Sequence, residues 1–206
     1  MGLFTSSAPA VLHPVNPPIG RLPQYYAQAP TTLVLKEKVF SWTGDSFGVK
    51  DTNGNVIVEC SGKVMSMRDR KTITDPRGQF LFGLRNKLMS IHKTFIGEDQ
   101  AENEIFRIRK KLSLGSHIVA TFTNVSTNTE TTLVLKGDFW GGSADISVDG
   151  GPIVAQITRK LFNARELFRD KQTYFVTVAP GVDLALIAAI CICFDEVKND
   201  KENNGN

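Results

Sequence analysis

From residue 31 onward, apolar and polar positions alternate in short runs separated by turn residues. This period of two, rich in Val, Ile, Thr and Phe, is the signature of strands with one buried face. It predicts strands over 32–40, 47–50, 56–60, 63–68, 71–74, 79–84, 89–91, 94–96, 105–112, 118–123, 131–136, 144–148, 153–159 and 174–178. Asp51-Thr52-Asn53-Gly54, Asp75-Pro76-Arg77-Gly78 and Asp149-Gly150-Gly151 punctuate them as turns. Asn53-Gly54 suits a type I′ hairpin, because both residues tolerate positive φ. So many short strands at close spacing imply a closed barrel or a sandwich.

Two segments break the alternation. Residues 164–170 fit a short helix, and residues 182–197 a longer one. Pro180-Gly181 ends the strand before the longer helix, and Asp183 is expected in its first turn, where the helix dipole favours a carboxylate. The eleven residues from Leu184 to Phe194 carry no charge. That run is too short to cross a bilayer, which takes ~20 apolar residues. A helix apolar on every side must be covered on every side. With little other helix in the chain, a curled sheet has to cover it. The expected fold is therefore all-β, a closed antiparallel barrel around a buried C-terminal helix. Leu184, Ile187, Ala188, Ile190, Cys191 and Phe194 are its core residues.

The ends of the chain read differently. Six of the nine prolines fall within residues 8–30, so residues 1–30 are expected as an extended or disordered arm. Residues 31–198 form the barrel domain and 199–206 a disordered polar tail. The first residues, MGLFTSSAPA, lack the basic and apolar regions of a secretory signal. They match the short myristoylation pattern M-G-x-x-x-[ST] at Gly2, a pattern common enough to arise by chance. Cys60, Cys191 and Cys193 are odd in number and form no C-x-x-C, which points to reduced core residues in a cytoplasmic protein.

Charge changes the picture in one region. The chain carries 24 Lys and Arg against 21 Asp and Glu, a net +3. Residues 62–111 hold 12 of the basic and 6 of the acidic residues. Along Ile105-Phe106-Arg107-Ile108-Arg109-Lys110-Lys111, strand alternation places Phe106 and Ile108 inward and Arg107, Arg109 and Lys111 outward. Arg68, Arg70 and Lys71 form a second basic cluster. Such stripes suit phosphorylated headgroups; they also simply solvate a strand. Nucleic acid is disfavoured, because aromatic residues interleave thinly with the cations.

Reaction chemistry finds little support. Gly44-Asp45-Ser46-Phe47-Gly48 matches G-x-S-x-G, but a strand follows it where a nucleophile elbow needs a helix. Asp51-Thr52-Asn53-Gly54-Asn55 is followed by Val56 where a calcium loop needs its sixth-position glycine, and no helices flank it. His13, His92 and His117 have no ligand spacing. There is no P-loop or dinucleotide fingerprint, so neither a catalytic residue nor a cofactor is assigned.

Several segments resemble the LURP-one-related family. They are Ile153-Val154-Ala155-Gln156-Ile157-Thr158-Arg159-Lys160, the run from Tyr174 to Ala188, and Phe194-Asp195-Glu196-Val197. Asp75-Pro76-Arg77-Gly78, Leu84-Arg85-Asn86-Lys87 and Ile91-His92-Lys93 are similar to that family's middle hairpin. The resemblance covers roughly residues 30–198. It implies a twelve-stranded barrel around a hydrophobic C-terminal helix, and kinship with tubby domains and phospholipid scramblases. It also implies phosphoinositides as ligands, peripheral membrane attachment, and a binding or scaffold role with lipid or protein partners. Scramblase-like activity is the alternative. No catalytic residue is implied.

Overall fold

The alternating runs form twelve antiparallel strands that close on themselves. The computed structural model describes residues 11–36, 46–62, 70–87, 89–113, 115–138, 143–159 and 173–203. Gly2, Arg68 and the elements expected at 63–68 and 164–170 lie outside these residues. The strands are β1 (Thr31–Lys36), β2 (Phe47–Asp51), β3 (Val56–Gly62), β4 (Arg70–Thr74), β5 (Phe80–Asn86) and β6 (Thr94–Glu98). They continue with β7 (Glu104–Ser113), β8 (Gly115–Asn124), β9 (Thr129–Asp138), β10 (Ser143–Val148), β11 (Ile153–Thr158) and β12 (Thr173–Val178). Each pairs with the next, and β1 pairs with β12 to close the barrel. The hexamer Thr-Thr-Leu-Val-Leu-Lys occurs in both β1 and β9. In both, its two leucines face the core: Leu33 and Leu35, Leu133 and Leu135.

One expected strand is absent. Met89 and Ile91 sit in a loop between β5 and β6, almost wholly in solvent. Their alternation has no paired neighbour and no core face to meet.

The helix α1 (Leu184–Asn203) runs past the expected end at Val197 and includes residues assigned by sequence to a polar tail. Every residue from Leu184 to Val197 is buried. Asp183 lies just before it, as its N-cap rather than within its first turn. One carboxylate oxygen accepts hydrogen bonds from the Ala185 and Leu186 amides at 2.9 and 3.1 Å. The other accepts from the Arg21 and Leu22 amides at 3.0 and 2.9 Å. A single side chain thus satisfies the orphan donors of the helix and fastens the arm. Burial pushes this carboxyl above the usual range, and the four N–H donors oppose that rise.

Residues 11–30 are extended apart from one 3-10 turn at Pro23–Tyr25. Val15 and Ile19 donate their amides to the Pro180 and Gly181 carbonyls at 2.9 and 2.8 Å. Leu12, Ile19 and Ala27 join the core. A side chain at Gly20 would start 2.2 Å from Asp183 Cβ, so glycine is what lets the arm lie against the cap. The short turns after β2, β4 and β6 share this end. In each, the leading Asp51, Asp75 or Asp99 accepts backbone amides, including those of Asn55, Gln79 and Asn103 at 2.7–2.8 Å.

Beyond the uncharged run, the helix is tied by polar side chains. Lys71 is buried inside the barrel, 2.9 Å from Glu196. The Tyr174 hydroxyl donates to Asp195 at 2.9 Å. The surface position expected for Lys71 is therefore incorrect. It shares the inward face of β4 with Ile73, one residue out of phase with Arg70.

Removing one partner of a buried ion pair strands the other charge, at a cost of about 3–5 kcal/mol, whereas apolar replacement of both is often near neutral. Lys71→Met should therefore lower unfolding free energy by about 3 kcal/mol in denaturant titration, and Lys71→Met with Glu196→Leu should recover most of it. Losses that simply add would show that the pair is not coupled. Ala188→Asp should abolish folding, since an unpartnered carboxylate in this core costs several kcal/mol. That is comparable with the whole stability of a domain, roughly 5–15 kcal/mol. A cooperatively folded, soluble Ala188→Asp protein would contradict the central placement of the helix.

Candidate functional site

On β7 the alternation resolves as the sequence suggests. Phe106 and Ile108 are buried in the core, while Arg109 and Lys111 are exposed and Arg107 half-buried on the outer face. Gly97 on β6 makes room for the Phe106 ring, which a Cβ there would meet at 2.2 Å.

Pairing register extends the stripe across the sheet. Arg70 lies opposite Arg85, Arg85 opposite Ile96, and Ile96 opposite Arg107. The row continues through Thr121 and Thr132. Arg85 is a cation of this face that strand alternation does not single out, because only the register of β4 against β5 brings it beside Arg70.

The cations are not equivalent. Arg70 donates to Glu98 at 2.7 Å and to Glu102 at 2.6 Å, and Arg85 donates to the second oxygen of Glu98. Arg107 makes a fork to both oxygens of Glu104, each at 2.9 Å. These hydrogen bonds, led by Glu102 for Arg70 and by Glu104 for Arg107, raise both guanidinium pKa values further. Three of the expected or observed cations are thus already neutralised by neighbours. Lys87, Arg109 and Lys111 are exposed and make no ion pair among the described residues. Lys71 is absent from this face.

A groove of about 530 Å³ runs along the outer face of β7, β8 and β9. Arg107, Arg109 and Lys111 line it together with Glu104, Glu130 and Asp149. Its acidic residues lie toward the end with the short turns: Glu104 opens β7, Glu130 opposes Thr123, and the Asp149 amide donates to Thr132. Arg109 and Lys111 lie further along β7, toward the opposite end. The groove is therefore polarised along the strands. At its cationic end it can accept an anion without displacing an internal carboxylate, which it cannot do at Arg107.

Ser46 immediately precedes β2, so the G-x-S-x-G match leads into a strand. Burial pushes the Cys60 thiol up to about 12 and those of Cys191 and Cys193 well above their usual value, which suppresses the reactive thiolate. Among the described residues, no three His, Cys, Asp or Glu side chains are grouped to hold a metal. No helix among the described residues is long and apolar enough to cross a membrane.

The chain is 26% identical over 185 residues to Protein LURP-one-related 15 of Arabidopsis thaliana, covering 86% of this chain and 85% of that one. It is 23% identical over 171 residues to Uncharacterized protein YxjI of Bacillus subtilis, covering 83% and 96%. An X-ray structure of an Arabidopsis thaliana protein shares the fold at a TM-score of 0.60 and 22% identity, covering 86% of this chain and 96% of that one. The LURP-one-related family model matches residues 31–195, from the start of β1 to Asp195 within α1. With the barrel, its central helix and the matched span in agreement, the chain belongs to the LURP-one-related family.

Proposed function

We propose that this protein is a non-enzymatic binding or scaffold protein that recognises anionic lipid headgroups, phosphoinositides among them, at the cationic end of its outer groove. The observation that carries this reading is the pair Arg109 and Lys111. Both are exposed, both lack an ion pair among the described residues, and Lys87 is exposed nearby at the same end. Two adjacent unpaired cations on a rigid strand suit phosphate oxygens without any rearrangement of the barrel. Arg107 contributes less, because Glu104 already holds it. Acylation at Gly2 would give such a protein a second membrane contact, since one acyl chain alone binds only marginally.

Scramblase-like activity fits less well. It calls for an apolar helix in the bilayer, and the apolar surface of α1 is already covered by the barrel. Nucleic-acid binding would need stacking partners among the cations. The lining of the groove offers none beyond Phe106 and Phe122, whose rings are buried.

Cations near an anionic leaflet contribute about 1 kcal/mol each, so losing two corresponds to roughly thirtyfold in affinity. In sedimentation with phosphatidylcholine vesicles containing phosphoinositide, Arg109→Gln with Lys111→Gln should weaken binding by about that factor. Arg107→Gln alone should change it by less than about threefold, since its charge is already compensated. Raising salt should weaken wild-type binding as the Debye length falls below ~10 Å. Equal binding by the wild type and the double variant would remove this face as the site. Tighter binding to DNA than to vesicles in the same buffer would favour the nucleic-acid reading instead.

A further inference from the structure

The loop joining β5 to β6 presents two large apolar side chains to water: Met89 is 98% exposed and Ile91 97%. The other exposed large apolar residues among those described are Val11 and Val125, each isolated in sequence. Leaving Met and Ile in water forgoes the stabilisation that burial would give, so two of them side by side need an account.

Their exposure is built by the backbone. The Ser90 and Thr94 hydroxyls lie 2.9 Å apart, and both donate to the His92 carbonyl. These bonds turn Ser90 inward, so the residues on either side of it point outward. The Lys87 amide donates to the Thr94 carbonyl at 2.8 Å and closes the base of the loop. The Lys110 amide donates to the Lys93 carbonyl at 3.1 Å and joins the loop to β7, between Arg109 and Lys111. The apolar tip is thus held next to the unpaired cations of the groove. The acidic residues that line the groove, Glu104, Glu130 and Asp149, lie toward the opposite end of the barrel.

We propose that Met89 and Ile91 form a wedge that enters the interfacial layer of an anionic bilayer while Lys87, Arg109 and Lys111 meet its headgroups. This rests on the anionic-lipid reading above and adds the orientation of the barrel on the membrane. Apolar side chains beside cations are the combination that an interfacial anchor requires, because apolar burial and electrostatic attraction then act at the same depth. The charge pattern favours such a surface over a basic or neutral one. The opposite end of the barrel, closed by the arm and the Asp183 cap, faces the aqueous side.

The native cysteines are buried, so a cysteine placed at the tip can be labelled selectively. Ile91→Cys carrying an environment-sensitive fluorophore should shift to the blue with vesicles of phosphatidylcholine and phosphatidylserine, and stay unshifted with phosphatidylcholine alone. Met89→Ser with Ile91→Ser should weaken sedimentation with the anionic vesicles about tenfold. Its thermal midpoint should match the wild type, since both side chains are solvated. If the wild type sediments with these vesicles but the fluorophore does not shift and the double serine variant binds equally, the wedge is overturned and the cationic face stands. Should the wild type fail to sediment with any anionic vesicle, both readings fall. Self-association in light scattering that disappears in the double serine variant, with no fluorophore shift on vesicles, would overturn the wedge in favour of contact between two copies of the chain.

Discussion

The fold depends on covering eleven uncharged residues of α1 on every side at once. Most amphipathic helices need one partner surface; from Leu184 to Val197 this one leaves none to water. In a chain whose other described elements are strands, apart from one 3-10 turn, a sheet curled through a full circle meets that demand, and the twelve strands do so with a continuous ring of hydrogen bonds and no free edge. The small side chains of Ala185, Ala188 and Ala189 allow the wall to close tightly around the helix. Polar groups then appear only where the helix enters and leaves the apolar interior. Asp183 holds one end, while Asp195 and Glu196 hold the other through Tyr174 and Lys71.

That arrangement gives the barrel two unlike ends. Short turns gripped by Asp51, Asp75 and Asp99 gather at the end where residues 11–30 pack and the helix begins. The Met89–Ile91 tip lies at the other, near Arg109 and Lys111. Among the described residues, one end is closed by the arm and the Asp183 cap, while the other presents Met89 and Ile91 beside exposed cations.

Much of this was legible in the sequence, for identifiable reasons. Period two sorts β7 correctly because its core faces, Phe106 and Ile108, are unambiguous, and the identical hexamers orient their leucines alike for the same reason. The uncharged run announces the helix and its burial. Lys71 misleads because charge is read as exposure, although its parity with Ile73 and the presence of Glu196 just beyond the apolar run hint otherwise. The pairing of Arg107 with Glu104 was not readable: residues three apart in a regular strand face opposite sides. The register shift that sets Gly97 against Phe106 but Glu98 against Glu104 removes that constraint. Arg85 required the register of β4 on β5, and the exposure of Met89 and Ile91 required the hydrogen bonds of a loop. Such features arise between segments, where local pattern carries no information.

Native-state hydrogen exchange tests the central claim most directly. If the barrel closes fully around α1, the amides of residues 187–194 exchange only through global unfolding, and their opening free energies converge on the value from denaturant titration. Exchange in this segment that is markedly faster than in β8 and β9, and unaffected by mild denaturant, would show that the helix leaves its barrel without unfolding it and would contradict the account.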